Sequence, residues 1–176
     1  MIPNIIIEDT RNQPGKHSNI HAYCEANGIR IVRSKLIVGD YSLPTNNSVC
    51  VDTKYGLQEV YGNMVQEHDR FRRECDLAAE LGIRLVILVE EDGIHTLDNV
   101  HEWVNPRYER YMKLYYGRKH GRYMATQLPP RKPIDSPRLE RMMRTFAEHH
   151  GCEWRFCSKE QTGAVLMDIL TGGTNG

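Results

Sequence analysis

Arg84-Leu85-Val86-Ile87-Leu88-Val89-Glu90 is the stretch on which the fold turns. Five consecutive aliphatic residues leave no polar face, so the segment reads as a strand covered on both sides, the mark of a central strand in a layered α/β sheet. Just before it, Phe71, Cys75, Ala78 and Leu81 recur at helical spacing between Glu67 and Leu81, and Gly82 stands where a helix would stop. Further upstream, Ile5-Ile6-Ile7 is a short β-branched run ending in Glu8-Asp9, a buried strand that delivers carboxylates at its end. Asn12 to Gly15, with Pro14, breaks the chain, and His17 to Asn27 then has helical spacing through Ile20, Tyr23 and Cys24, closed by Gly28. Ile29 to Val32, Leu36 to Leu43 and Val49 to Lys54 read as strands, the last two joined by turn residues from Pro44 to Ser48, which predicts a small β-meander.

Downstream of the central strand the pattern dissolves. From His95 to Pro133 the chain is aromatic and basic, with Trp103, Tyr108, Tyr111, Tyr115, Tyr116 and Tyr123 among Gly117, Gly121 and Pro129-Pro130, and we read about 95–134 as an insertion, part helix and part loop. Ser136-Pro137 resembles an N-cap followed by an N1 proline, and Leu139, Met142, Met143, Phe146 and Ala147 make an apolar stripe ending before Gly151. Trp154 to Cys157 returns to strand. Ser158 and Gln161 have capping-box spacing and open a last helix through Leu170, ended by Gly172-Gly173. The expected fold class is α/β, a central mixed sheet flanked by helices, in one domain over 1–176.

The length, 176 residues, and 40% hydrophobic content supply a core without disulfides. Five cysteines (Cys24, Cys50, Cys75, Cys152, Cys157) are an odd number without CxxC spacing, which excludes a zinc ribbon or a disulfide framework and leaves them as small buried hydrophobes. No run approaches the roughly 20 apolar residues of a membrane span. With no basic, apolar leader, the expectation is a cytoplasmic protein of prokaryotic or phage setting. Net charge is zero, but Pro106 to Arg144 holds eleven basic residues against Glu109, Asp135 and Glu140, so that segment carries +8 and the remainder −8. An acidic part suited to cations stands beside a basic part suited to polyanions.

The chemistry concentrates in Gly39-Asp40-Tyr41 and Val51-Asp52-Thr53-Lys54. Alternate side chains of a strand share a face, so Asp52 and Lys54 project together while Thr53 faces away. With Asp40 brought alongside, two carboxylates suit a hard divalent cation completed by waters and substrate phosphate. The lysine then serves to position or activate a water. Phosphodiester hydrolysis requires that set. Taken alone, Asp-x-Lys is a common tripeptide whose ordinary reading is a solvated ion pair on a strand edge.

It does not stand alone. Ile7-Glu8-Asp9-Thr10-Arg11, Gly39-Asp40-Tyr41, Asp52-Thr53-Lys54, Arg70-Phe71, Leu85 to Glu90 and, at the end, Trp154 to Ser158 with Glu160-Gln161-Thr162-Gly163 follow one another in an order that resembles the nuclease domain of XPF-type structure-specific endonucleases, a branch of the PD-(D/E)xK superfamily. The resemblance covers most of Ile5 to Leu170 and implies a restriction-endonuclease-like sheet. It also implies catalytic Asp9, Asp40, Asp52 and Lys54, and Mg2+, replaceable by Mn2+, held by Asp40, Asp52 and the Thr53 backbone carbonyl. Three positions depart from the family pattern: Asn12 stands for a glutamate, Asp52 for a longer glutamate and Thr53 for an arginine. The expectation is a nuclease domain without the helix-hairpin-helix module of those enzymes.

DNA is the expected partner, through Arg11, Arg70 and a tyrosine-rich basic face of Arg107, Arg110, Lys113, Tyr115, Tyr116, Arg118, Lys119 and Arg122. The other reading of that face is a helical arm packed on the core or on a second subunit in a homodimer. Asp9 equally suits a turn, Arg11 equally braces an acidic neighbour, Arg70 and Glu74 equally form a solvated helix pair, and Glu90 is either a further acid for the cluster or an ordinary strand exit. At the level of function, the alternative to an endonuclease is a nuclease-like module that binds DNA or a partner without cutting.

Overall fold

The computed structural model describes residues 3–13, 15–121 and 127–172. Pro14, Arg122, Tyr123 and Gly173 lie outside them. The chain runs β1 (Ile5–Asp9), α1 (Ser18–Ala26), β2 (Arg30–Ser34), β3 (Tyr41–Leu43), β4 (Asn46–Lys54), α2 (Gly56–Val65), α3 (His68–Glu80), β5 (Arg84–Glu90), α4 (Pro106–Lys119), α5 (Ser136–His150), β6 (Glu153–Cys157) and α6 (Thr162–Thr171). A 3-10 helix, Leu97–Glu102, lies between β5 and α4.

One six-stranded sheet orders its strands β2-β1-β3-β4-β5-β6. The expected β-meander is corrected by this order: β2 pairs parallel with β1 at the far edge, and β3 alone runs antiparallel to its neighbours β1 and β4. Only β3 and β4 form a hairpin. β4 pairs parallel with β5 and β5 with β6, so every strand except β3 points the same way. Parallel pairs need long crossovers, and α1, the α2–α3 pair and the α4–α5 stretch supply them.

The aliphatic run of β5 splits by period two. Leu85, Ile87 and Val89 face a core built with Leu57 and Val60 of α2, Phe71 and Cys75 of α3, and Leu139, Met143 and Phe146 of α5. Val86 and Leu88 face a second core with Ile20 and Cys24 of α1 and Leu166, Met167 and Leu170 of α6. Removing each such side chain from water is worth about 1.5–3 kcal/mol, so β5 ties both layers to one sheet. All five cysteines are buried and free, as small hydrophobes in these cores. No helix among the described residues is long and apolar enough to cross a membrane.

Three local differences from the sequence reading have physical causes. Leu36 to Asp40 is not strand: Gly39 has φ +71°, and a Cβ there would lie 3.1 Å from the Val51 carbonyl oxygen, so the chain turns before β3 starts. Helix α2 was not legible, and the N–H of Leu57 at its start is held by the Glu91 carboxylate at 2.7 Å. Asp135, one residue before the expected Ser136, caps α5 by accepting the Arg138 N–H.

Candidate active site

Because β1, β4 and β5 are co-directional, their C-terminal ends meet at one edge of the sheet, and the reversed β3 begins at that same edge. Asp9, Asp52 to Lys54 and Glu90 thus end strands there, while Asp40 precedes Tyr41. Crevices beyond the carboxyl ends of strands are where open α/β sheets bind ligands. The backbone stitches the edge together: the Asp9 N–H donates to the Asp40 carbonyl and the Asp40 N–H to the Val51 carbonyl, both at 2.8 Å.

A cleft of about 200 Å³ opens there, lined by Asp40, Asp52, Lys54, Arg11, Arg70, Asn12, Lys16, Gly39, Glu59, Phe71 and Glu74. Five of the expected site residues (Arg11, Asp40, Asp52, Lys54 and Arg70) are therefore brought together. Asp52 and Lys54 share the face of Cys50 and are 5% and 7% exposed. The Lys54 Nζ lies 2.6 Å from Asp52 Oδ2 and 5.5 Å from the centre of the Phe71 ring. At this distance the ammonium donates to Asp52 Oδ2, a buried, charge-assisted contact, and no other donor reaches that oxygen among the described residues. Burial pushes the Asp52 carboxyl up, to about 6, with Asp40 adding to the rise and the Lys54 ammonium opposing it. Burial alone would lower Lys54, but Asp52 outweighs it and holds the amine protonated.

Asp40 is aimed by β4. Its Oδ2 accepts the Thr53 N–H at 2.9 Å and the Thr53 hydroxyl at 2.6 Å, which leaves Oδ1 without a donor among the described residues. Thr53 does not line the cleft; its side chain lies on the opposite face of the strand, where the hydroxyl meets His17 Nε2 at 3.1 Å. The Thr53 proton goes to the carboxylate, so the hydroxyl accepts from His17 and Nε2 carries the hydrogen. His17 is buried, stacked on Tyr55 with ring centres 5.6 Å apart, and its Nδ1 has no partner. A chain His17 to Thr53 to Asp40 therefore runs through the sheet. Neither His17 nor the Thr53 side chain was legible as site chemistry, because the contact joins residues 36 apart.

Burial, and next the Lys16 charge, push the His17 imidazole down to about 4. The sign follows from the depressed value. Neutral His17 contributes stability in full above its ordinary value of 6.5, and that contribution is lost as pH falls from 6.5 toward 4. The expected result is a wild-type Tm that drops more steeply over this window than that of His17→Gln, by at most about 3 kcal/mol of stability. Parallel melting curves for the two proteins across the window would refute the assignment.

Asp9 is placed differently from its catalytic expectation. It does not line the cleft, and its two oxygens accept the Arg11 N–H at 2.6 Å, Arg11 Nε at 2.8 Å, Arg11 Nη2 at 3.0 Å and the Leu36 N–H at 2.7 Å. Burial raises it, but these Arg11 and Leu36 bonds hold its carboxyl below the ordinary range. Glu8 turns to the Tyr41 hydroxyl at 2.9 Å and His21 at 3.0 Å. Glu90 accepts from Asn19 at 2.9 Å, outside the cleft. Arg70 pairs with Glu67, not with the expected Glu74, whose carboxylate instead accepts the Gly39 N–H at 3.0 Å. Glu59, which the sequence did not single out, reaches the cleft from α2, accepts the Tyr55 N–H and pairs with Lys16.

The donor set fits a hydrated divalent ion. Asp40 and Asp52 both line the cleft, Asp40 Oδ1 accepts from no donor among the described residues, and the Asn12 side chain beside them has a buried amide nitrogen without a partner. Among the described residues no group of three or more His, Cys, Asp or Glu side chains is disposed around one point. Two carboxylates with waters and substrate phosphate are the usual environment of Mg2+, not of zinc or a calcium cage.

The basic segment forms α4, of which no residue is buried. Arg107, Arg110, Lys113, Arg118 and Lys119 are exposed, and Tyr115 and Tyr116 are 43% and 51% exposed. Asn105 caps the helix, accepting the Arg107 N–H at 3.0 Å and donating to the Ile134 carbonyl at 2.8 Å.

No family model and no curated protein matches the chain. Solved structures do. XPF from Aeropyrum pernix superposes with a TM-score of 0.59 at 16% identity, over 97% of this chain and 65% of that one. XPF from Aeropyrum pernix in complex with DNA gives 0.56 at 17% identity, over 96% of this chain and 64% of that one. The chain thus spans just under two thirds of the length of these structures, and identities this low carry the architecture alone: the six-stranded mixed sheet between its helical layers is an XPF-like fold.

Proposed function

We propose that the chain is a divalent-metal-dependent endodeoxyribonuclease that hydrolyses phosphodiester bonds in branched, flap or junction DNA. The observation that carries this reading is the buried Asp52–Lys54 pair beside Asp40 in a cleft at the carboxyl edge of the sheet. An XPF-like fold, represented by a structure in complex with DNA, supports it. Asp40 and Asp52 would hold Mg2+ or Mn2+, which when bound polarises a phosphoryl oxygen and makes a coordinated water acidic. Lys54 holds its proton and faces the same cleft, where its ammonium orients the attacking water and offsets charge on the phosphoryl oxygens. Arg11 and Arg70, at the rim, contact the flanking phosphates. Asp9 acts through Arg11 and Leu36 as a brace for the rim. His17 and Thr53 are positioning residues that fix the rotamer of Asp40, and we expect Thr53→Val to lower cleavage by about 10- to 100-fold while Thr53→Ser restores it.

The direct test is cleavage of linear, flap and four-way DNA with Mg2+ or Mn2+, under limiting enzyme. We expect the flap to be cut about tenfold faster than its matched duplex, near the point where strands part. Alanine at both Tyr115 and Tyr116 should erode the difference, since stacking on one base offers roughly 1–3 kcal/mol. Equal initial rates on flap and duplex would remove the structure preference and leave a general nuclease. DNA binding with no cleavage by either metal would favour the non-cutting module.

A further inference from the structure

We propose that the cleft between α4 and the segment leading into α5 is the seat of an unpaired DNA strand, which it holds by its phosphates and by one stacked base. The inference rests on the nuclease reading for the identity of the polymer, not for the existence of the site. Along α4, Arg107, Arg110, Tyr111 and Leu114 fall at i, i+3, i+4 and i+7, one helical face, and all four line the cleft. Tyr61 and Val65 of α2 also line it, and Pro129 with Arg131 to Ile134 contribute the facing wall. Its volume is about 770 Å³, several times that of the candidate active site and within the range of small-ligand pockets, which suits a few nucleotides and not a duplex.

The charge of the lining is of one sign. Arg107, Arg110, Arg131, Lys132 and Arg138 line it with no acid among the described lining residues, whereas the active-site cleft mixes both signs. Two of these cations are already seated on aromatic faces: the Arg107 guanidinium lies 5.2 Å from the Tyr61 ring centre and Lys132 Nζ lies 5.1 Å from that of Tyr108. None of the five is paired with a carboxylate in an ion bridge among the described residues. Cations held by rings, not by acids, keep their charge available to phosphate. The Tyr111 ring forms part of the lining and stacks with Tyr115 at 6.4 Å between centres, continuing an aromatic platform toward the free end of α4. A helix that buries none of its own residues presents this face to an external ligand. The neighbouring α2 supplies Glu59 to the active site and Tyr61 and Val65 to this cleft, so the two clefts flank opposite faces of one helix.

The experiment is fluorescence anisotropy in EDTA, with a short labelled oligo-dT strand and a duplex of equal length, titrated over a range of salt. Arg131→Ala with Lys132→Ala is expected to weaken single-strand binding roughly tenfold and to flatten the salt slope by about 1.4, two contacts at about 0.7 each. Tyr111→Ala should cost about fivefold or more on the single strand. Both losses should be smaller on the duplex, and Arg30→Ala with Lys35→Ala, the same charge removed at the opposite sheet edge, should leave single-strand affinity unchanged. Unchanged single-strand affinity in the cleft variants overturns the proposal, as do equal losses on strand and duplex. A dimer that becomes a monomer in those variants, with affinity intact, assigns this face to a second copy and also overturns it. Because EDTA removes cleavage from the measurement, strand binding at the cleft by a protein that never cuts DNA would sink only the nuclease reading.

Discussion

Asp52→Asn is expected to reduce cleavage to below about a percent of the wild-type rate while leaving DNA binding in EDTA at or above the wild-type level. The loss should exceed the 10- to 100-fold typical of groups that only orient a metal ligand, because this side chain would itself be the ligand. Asn keeps the shape and one carbonyl oxygen but removes the charge that suits a hard cation. Removing a carboxylate from a cleft that receives phosphate also removes a repulsion, so affinity should not fall. The substitution leaves Lys54 buried beside a neutral amide, which costs stability, but Asp40 and Glu59 still stabilise the ammonium electrostatically. Circular dichroism should therefore report the native fold with a lower Tm. A folded Asp52→Asn protein that cuts at the wild-type rate, with either Mg2+ or Mn2+, would remove Asp52 from the site.

The parts of this site that could be read from sequence are those fixed by period-two alternation. Asp52 and Lys54 had to share a face of β4, and they do. Thr53 had to point away, and it does, toward His17. What alternation could not supply was the consequence of that opposite face, since the link from Thr53 back to Asp40 and across to His17 depends on β3 lying between β1 and β4. The meander expected from Ile29 to Lys54 would have put β2 next to β3. The structure instead sends β2 to the edge beside β1, a parallel pairing made through α1 that no local signal discloses. Helix α2 escaped for a related reason. Val60, Val65 and Gly62 lower its intrinsic propensity, and its stability comes from burying Leu57, Val60, Tyr61 and Met64. Asp9, equally readable as site acid or turn residue, takes every hydrogen bond of its carboxylate from Arg11 and Leu36, a partnership that strand-end position does not disclose. The basic character of α4 was plain from charge counting. That its cationic face closes a cleft against 127–134 was not, because the wall comes from the far end of the same insertion.

Lys54 should prove coupled to Asp52 in stability and separable from it in mechanism. Lys54→Met keeps an unbranched apolar stem one atom shorter, able to pack on Phe71, but leaves the Asp52 carboxylate buried without its countercharge. Breaking a buried pair from one side costs about 3–5 kcal/mol, whereas replacing both partners with neutral groups of similar shape is often neutral or stabilising. The expected order of Tm is therefore wild type or the Asp52→Asn/Lys54→Met double variant highest, with both single variants below. Coupling of this sign in a double-mutant cycle identifies a true ion pair, and additive losses would show that the 2.6 Å contact carries no energy. In turnover, the lysine acts on the water and on charge that develops in the transition state, so Lys54→Met should reduce kcat by about a hundredfold with DNA affinity changed only a few-fold. Its loss also removes the charge that opposes the upward push of burial on Asp52, so the carboxyl rises above about 6 and protons compete with the cation near neutrality. More metal, or a higher pH, should then recover part of the lost rate in Lys54→Met and none of it in Asp52→Asn. A Lys54→Met protein that binds DNA poorly but turns over normally would place the lysine on a substrate phosphate, away from the chemistry.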